Sequence, residues 1–185
     1  MAETTLAAPV KKYRAPARSA GFPSPHVERW INRATIRSPL LRSIVSYTIM
    51  PLIWRLGPQI NYDPDNFFVE CPHNRMNRNS YGTVGGGALL ANLELAAGCY
   101  LFMATDGASR IVCRNVSYRF MLPSTNGLHF RVEPLDDDLE AMIARGEPFN
   151  ANFKVYVYSR GDRFGEKGRR IGRGEIGFHV WPIED

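Results

Sequence analysis

The run Asn79-Ser-Tyr-Gly-Thr83-Val-Gly85-Gly86-Gly87 leads straight into Ala88-Leu-Leu-Ala-Asn92-Leu-Glu94-Leu, a glycine-rich entrance to an apolar segment carrying one carboxylate. A helix that opens on glycines leaves backbone N–H groups free to meet an anion or a developing oxyanion. An acid among leucines and alanines is costly to desolvate, so it needs a partner or a task. These two features on one helix mark a candidate site.

Other chemistries lack their signatures. The chain contains no G-x-S-x-G, no H-E-x-x-H and no G-x-x-x-x-G-K-[ST]. The glycines at 82, 85, 86 and 87 do not spell G-x-G-x-x-G, and no βαβ unit surrounds them. The histidines, His26, His73, His129 and His179, are scattered and none neighbours Glu94, so no metal site is expected. Cys71, Cys99 and Cys113 fit neither a zinc spacing nor a C-x-x-C motif; Cys99 and Cys113 read as small core residues.

The elements that must position the site follow from pattern. Gly86 to about Thr105 reads as one long helix, stopped by Asp106-Gly107. It approaches the length of a membrane span, but Asn92 and Glu94 near its middle favour a buried core helix. Ser38-Pro39 starts an earlier helix over 39–56, kinked or split at Pro51, whose apolar face includes Leu40, Leu41, Ile44, Val45 and Tyr47. That face suits a lid, a membrane surface or core packing, and core packing is the expected use. Short strands over 59–61 and 66–71 flank the turn Asp63-Pro64-Asp65. After the long helix come strands over 110–121, 128–133, 149–158 and 170–181, the last loosened by Gly172, Gly174 and Gly177. A turn at Asn126-Gly127 and a short helix over 136–145, opened by Asp136-Asp137-Asp138 as a solvated start, interrupt them. This is an α+β arrangement in which an antiparallel sheet wraps around a helix.

Length and composition fit one domain spanning residues 36–185, preceded by a flexible basic extension over 1–35. The unpaired cysteine count and polar N-terminus point to the cytoplasm. A net charge of +5 raises nucleic-acid binding, but the basic residues are dispersed and no recognition motif accompanies them. The excess of arginine over lysine, 19 to 4, would equally suit a phosphorylated small molecule.

At Asn79, Gly82-Thr83, Gly85-Gly86-Gly87 and Glu94 the chain resembles the hotdog-fold acyl-CoA thioesterases, particularly the phenylacetate-pathway type. Asn79 lies fifteen residues before Glu94 and Gly86 eight before it, matching that family's pattern without a gap. Ser117-Tyr118 and Leu122-Pro123 look like its next strand and exit, and the resemblance runs over residues 57–181. It implies a hotdog fold with an additional N-terminal helix, here 39–56, and hydrolysis of an acyl-CoA thioester by a homodimer or dimer of dimers. Coenzyme A enters only as part of the substrate; no separate cofactor is implied. The Gly86 N–H would polarise the carbonyl, Glu94 would act as general base or nucleophile across a subunit interface, and Asn79 would orient water or substrate. Thr83, Gly85 and Gly87 would contact substrate. The dimer answers a geometric difficulty: residues eight apart on one helix lie about 12 Å apart at ~1.5 Å per residue, too far to serve one carbonyl. Two antiparallel copies of the helix remove that difficulty.

There is one departure. The family's frequent histidine before the paired glycines is Gly85 here, which bears on catalysis and not on fold. Non-catalytic acyl or lipid binding on the same fold is therefore the alternative. A hotdog dehydratase would need a histidine paired with the acid, and no histidine stands at the expected place.

Overall fold

The computed structural model describes residues 24–183. Three helices come first: α1 (Pro25–Arg37), α2 (Pro39–Ile49) and α3 (Pro51–Leu56). Each begins on a proline, whose missing N–H costs nothing in a first turn. Ser24 and Ser38 cap α1 and α2 by accepting from Val27 N and Leu41 N. Met50 leaves helical backbone just before Pro51, so the 39–56 segment is two helices, and Gly57 at φ 70° stops the second.

Of the expected flexible extension, residues 1–23 lie outside the described residues, whereas Pro25–Arg37 are helical and docked. Glu28 is buried against Arg110 (Nη2 to Oε2, 2.6 Å), and Asn32 donates to the Gly107 carbonyl (3.1 Å). Arg33 pairs with Asp106 at 2.9 Å. These anchors lie 73 to 82 residues along the chain, where no local pattern announces them. The core-packing reading of 39–56 holds at Leu56, buried at the end of α3, and is corrected for α2, which contains no buried residue. Its apolar stripe faces solvent, and Arg42 on the other side ties it down by donating to the Thr35, Ile36 and Ile60 carbonyls.

The strands are β1 (Gln59–Asn61), β2 (Phe68–Cys71), β3 (Ser109–Phe120), β4 (Leu128–Pro134), β5 (Phe149–Arg160) and β6 (Lys167–Pro182). They form one antiparallel sheet in the order β1-β2-β4-β5-β6-β3. Asn126-Gly127 turns the chain into β4 beside β2, and β3 crosses to the far edge to pair with β6 from Ser109↔Pro182 to Phe120↔Gly172. One edge of the sheet is therefore a three-residue strand and the other a twelve-residue strand. A short helix α5 is not needed to position the site; it spans Leu139–Ala144.

The long helix α4 (Gly86–Ala104) packs its Leu89, Leu93, Ala96, Ala97 and Leu101 into the core beside Phe130, Phe153 and Phe178. It is apolar nearly all round, yet only one side meets the sheet. Asp106 at φ 47° and Gly107 at φ 69° turn the chain away at its end.

The glycines of β6 do not loosen it; the strand runs unbroken for sixteen residues. At Gly174 a Cβ would lie 2.6 Å from Leu93 Cδ1 and 2.9 Å from the Ser117 carbonyl, so the glycine lets α4 seat on the sheet. Gly174→Val is expected to lower stability by about 1–3 kcal/mol through overpacking, read as a fall in the urea midpoint.

Candidate active site

The segment before α4 is built by asparagines. Asn79 Oδ1 accepts from Tyr81 N (2.9 Å) and Thr83 N (3.2 Å), while its Nδ2 donates to Thr83 Oγ1 (2.9 Å). Such an Asx arrangement closes the 79–83 loop locally. Asn79 is thus first a loop-forming residue, with one amide hydrogen left for a ligand.

Asn77 and Asn92 hold the helix entrance in place, a role that the sequence pattern does not assign to them. Asn77 is buried and donates to the Leu56 and Pro72 carbonyls, both at 2.8 Å, while its own carbonyl accepts from Gly85 N (2.8 Å). Asn92, fully buried, donates to Asn77 Oδ1 (3.3 Å) and the Ala88 carbonyl (2.9 Å) and accepts from the Cys71 thiol (2.9 Å). Burial pushes the Cys71 thiol well up, keeping it protonated as that donor. The available sequence signal was Asn92 itself, an amide inside an otherwise apolar helix that must find partners.

The three glycines divide by position. Gly85 is the N-cap at φ −71°, ψ 140°, and its N–H is taken by Asn77. Gly86 opens the helix, so its N–H has no acceptor one turn back. A Cβ there would touch only the Phe120 ring, at 3.4 Å from Cζ and 3.6 Å from Cε1. Gly87 is exposed, and a Cβ on it would meet nothing within 4 Å. Close packing therefore does not require glycine at 87.

Gly86, Asn79, Thr83 and Ser124 border a groove of about 350 Å³ between the start of α4 and the ends of β3 and β6. Its apolar wall is formed by Leu89, Phe120, Met121, Leu122 and Ile171. The groove can take an apolar chain against that wall and present a carbonyl oxygen to the helix entrance.

Glu94 is not in it. The expectation of a buried acid is corrected: in the single chain Glu94 is exposed, while Leu93 and Asn92 on either side of it in sequence are buried. Two residues on from Asn92, at about 100° per residue, the chain has turned to the opposite side of the helix. Glu94 faces the edge strand β3: the Cys113 thiol on that strand is raised by burial first and by the Glu94 carboxylate second. The structure thus brings Asn79, Thr83 and Gly86 together, keeps Gly85 and Gly87 beside them, and sets Glu94 apart.

Among the described residues no group of three or more His, Cys, Asp or Glu side chains could hold a metal ion. Asp136 is engaged as an acceptor for Asn152 N (2.7 Å), and Asp138 faces Arg145 at 3.5 Å.

The profile of a family described as a domain of unknown function (DUF4442) matches residues 40–172. No curated protein matches the sequence. Among solved structures, a protein from Shewanella oneidensis provisionally named a thioesterase superposes with TM-score 0.65 at 14% identity, over 83% of this chain and 99% of that one. A protein of unknown function from Chlorobaculum tepidum gives TM-score 0.64 at 15% identity, over 80% and 99%. A thioesterase from Haemophilus influenzae gives 0.59 at 9% identity, over 80% and 93%. At these identities the likeness is one of fold.

Proposed function

This chain belongs to the DUF4442 family, and from that premise we propose that it is a hotdog-fold acyl-CoA thioesterase whose active site is completed by a second copy of the chain. One observation carries the reading: the free Gly86 N–H borders the groove, while Glu94 on the same helix stands outside it along the open edge of β3. The twelve-residue β3 pairs with β6 alone, with a bulge at Arg114, and Val112, Val116 and Phe120 along it are exposed. A long unpaired edge with apolar side chains is a template for another strand. The opposite edge is short and partly tied to α2 by Arg42. A second copy packed along β3 and α4 carries its Glu94 towards this chain's Gly86.

The thioester carbonyl oxygen accepts from Gly86 N–H, and the partner's Glu94 carboxylate takes a proton from water as its oxygen attacks the carbonyl carbon. The tetrahedral intermediate collapses with loss of the thiolate, which recovers the proton from the Glu94 carboxyl. The products are a carboxylic acid and a free thiol.

A phosphorylated carrier fits the charge at this end of the sheet. Arg119 and Arg173 are direct cross-strand neighbours, both exposed, and neither has an ion-pair partner among the described residues. Like charges set opposite each other are unfavourable until an anion joins them. The test is thiol release from a panel of acyl-CoAs and from the matching N-acetylcysteamine thioesters, which lack the phosphates. Arg119→Ala with Arg173→Ala is expected to raise KM for acyl-CoA by about tenfold or more and to leave the truncated thioester unaffected, as loss of two charge-assisted contacts implies. The second reading, acyl binding without hydrolysis, is favoured by Gly85 and by the local engagement of the Asn79 side chain. Saturable binding with no thiol released from any substrate would select it.

A further inference from the structure

The apolar face of α2 and α3 is unused by the site just described. Leu40, Ile44 and Tyr47 recur at helical spacing and are 71%, 50% and 61% exposed. Leu52 and Trp54 extend the surface on α3, and the Tyr47 and Trp54 rings meet edge-on at 5.1 Å, which joins the two helices into one patch. This patch is held in a fixed aspect. Arg42, on the reverse side of α2, donates to three backbone carbonyls and lies over the Tyr62 ring at 4.5 Å.

Charge identifies the occupant. Residues 1–56 contain nine Lys or Arg against two acids, a net +7 in a chain of net +5, so the remaining 129 residues carry −2. No acid occurs between Glu28 and Asp63. Residues 24–56 alone carry five Arg against Glu28, a net +4, so docking this face on its own copy would bring two basic segments together. An anionic surface meets both the charge and the aliphatic and aromatic side chains, since Trp and Tyr favour the boundary between headgroup and acyl chain. We infer that α2 and α3 form a docking surface for an anionic lipid bilayer, on which the helices lie in the interfacial plane without spanning it. The inference stands on the helices alone and is independent of hydrolysis at the groove.

The full chain tests this by flotation with phosphatidylcholine vesicles, with and without about 30% phosphatidylserine. Binding is expected to the anionic vesicles and to weaken as salt rises from about 0.05 to 0.5 M. Ile44→Ser with Tyr47→Ser is expected to weaken it about tenfold or more, with the circular dichroism spectrum unchanged because both side chains are exposed. Phe164→Ser, an exposed apolar change on the β5–β6 hairpin, should bind as the parent does. Failure to bind anionic vesicles overturns the proposal, as does a double variant that binds as well as the parent. If the double variant instead dissociates an oligomer while vesicle binding persists, a second copy covers the face and the proposal is also overturned.

Discussion

Glu94→Gln is expected to lower thioester turnover by about 10²–10⁴-fold while leaving the fold intact. The fold should survive because the Glu94 side chain is exposed in the single chain and supports no part of the core. Glutamine keeps the shape and removes the base. Full turnover in this variant would remove Glu94 from the mechanism.

Its partner experiment uses Gly86→Pro. Gly86 is the first residue of α4, where proline is favoured, and Gly85 already has the extended backbone that a residue before proline prefers. The substitution therefore deletes the proposed oxyanion donor with little demand on the backbone. Loss of one such donor costs about 2.7–4 kcal/mol of transition-state stabilisation, about 10²–10³-fold in kcat. The two variants also test whether the site is shared. Mixed after dissociation, Glu94→Gln and Gly86→Pro chains should form heterodimers in which one of the two sites is wild type. For random pairing about a quarter of parental activity should return. If each site lay within one chain, every site in the mixture would carry a lesion and no activity would return.

The contrast between Glu94 and its neighbours shows where sequence reasoning stops. Asp106-Gly107, Ser38-Pro39 and Gly57 are local signals, and the structure uses each of them as a helix boundary. The spacing that places Asn79, Thr83 and Gly86 on one loop and helix start is local too, and the groove gathers all three. Periodicity, however, says that a face is apolar and not what covers it. The stripe Leu40, Ile44, Tyr47 has core spacing and faces solvent. Glu94 sits in an apolar helix that touches the sheet along one side only, so its burial depends on something outside the chain. Strand order is equally non-local: β3 lies in sequence beside β4 and pairs with β6, and that choice alone creates the open edge next to Glu94. The scaffold role of Asn77 is not legible in sequence because an amide's role is set by distant carbonyls, here those of Leu56 and Pro72.

The most distant assembly of all predicts the largest stability effect. Glu70 of β2, His129 of β4 and Arg160 of β5 meet on the side of the sheet facing away from α4, with Glu70 and His129 completely buried. Glu70 Oε1 accepts from His129 Nδ1 (3.1 Å) and from Gly165 N (2.8 Å), and Oε2 lies 2.8 Å from Arg160 Nε. The carboxylate thereby pins the β5–β6 hairpin over its own strand, where Phe68 stacks on His129 with ring centroids 4.9 Å apart and Phe164 lies against Phe68 at 5.1 Å. Glu70→Ala leaves a guanidinium without its counter-ion and strips the acceptor from the buried His129 and the half-buried Gly165 N–H. Breaking a buried ion pair by removing one partner costs about 3–5 kcal/mol. The expected result is a large fall in the urea midpoint and faster tryptic cleavage after Arg163 in the loosened hairpin. Glu70→Gln retains an acceptor and should fall between parent and alanine variant. The pH dependence follows from His129. Burial lowers its pKa, against the raising effect of Glu70, and Arg131 and Lys167 lower it further. The folded chain therefore binds this proton less readily than the unfolded one, so the stability it contributes is present above the ordinary histidine value near 6.5 and is lost as pH falls below it. His129→Gln, neutral at every pH, should remove that part of the slope. Superimposable denaturation curves for parent and Glu70→Ala at about pH 7.5 would show that the cluster does not hold the hairpin.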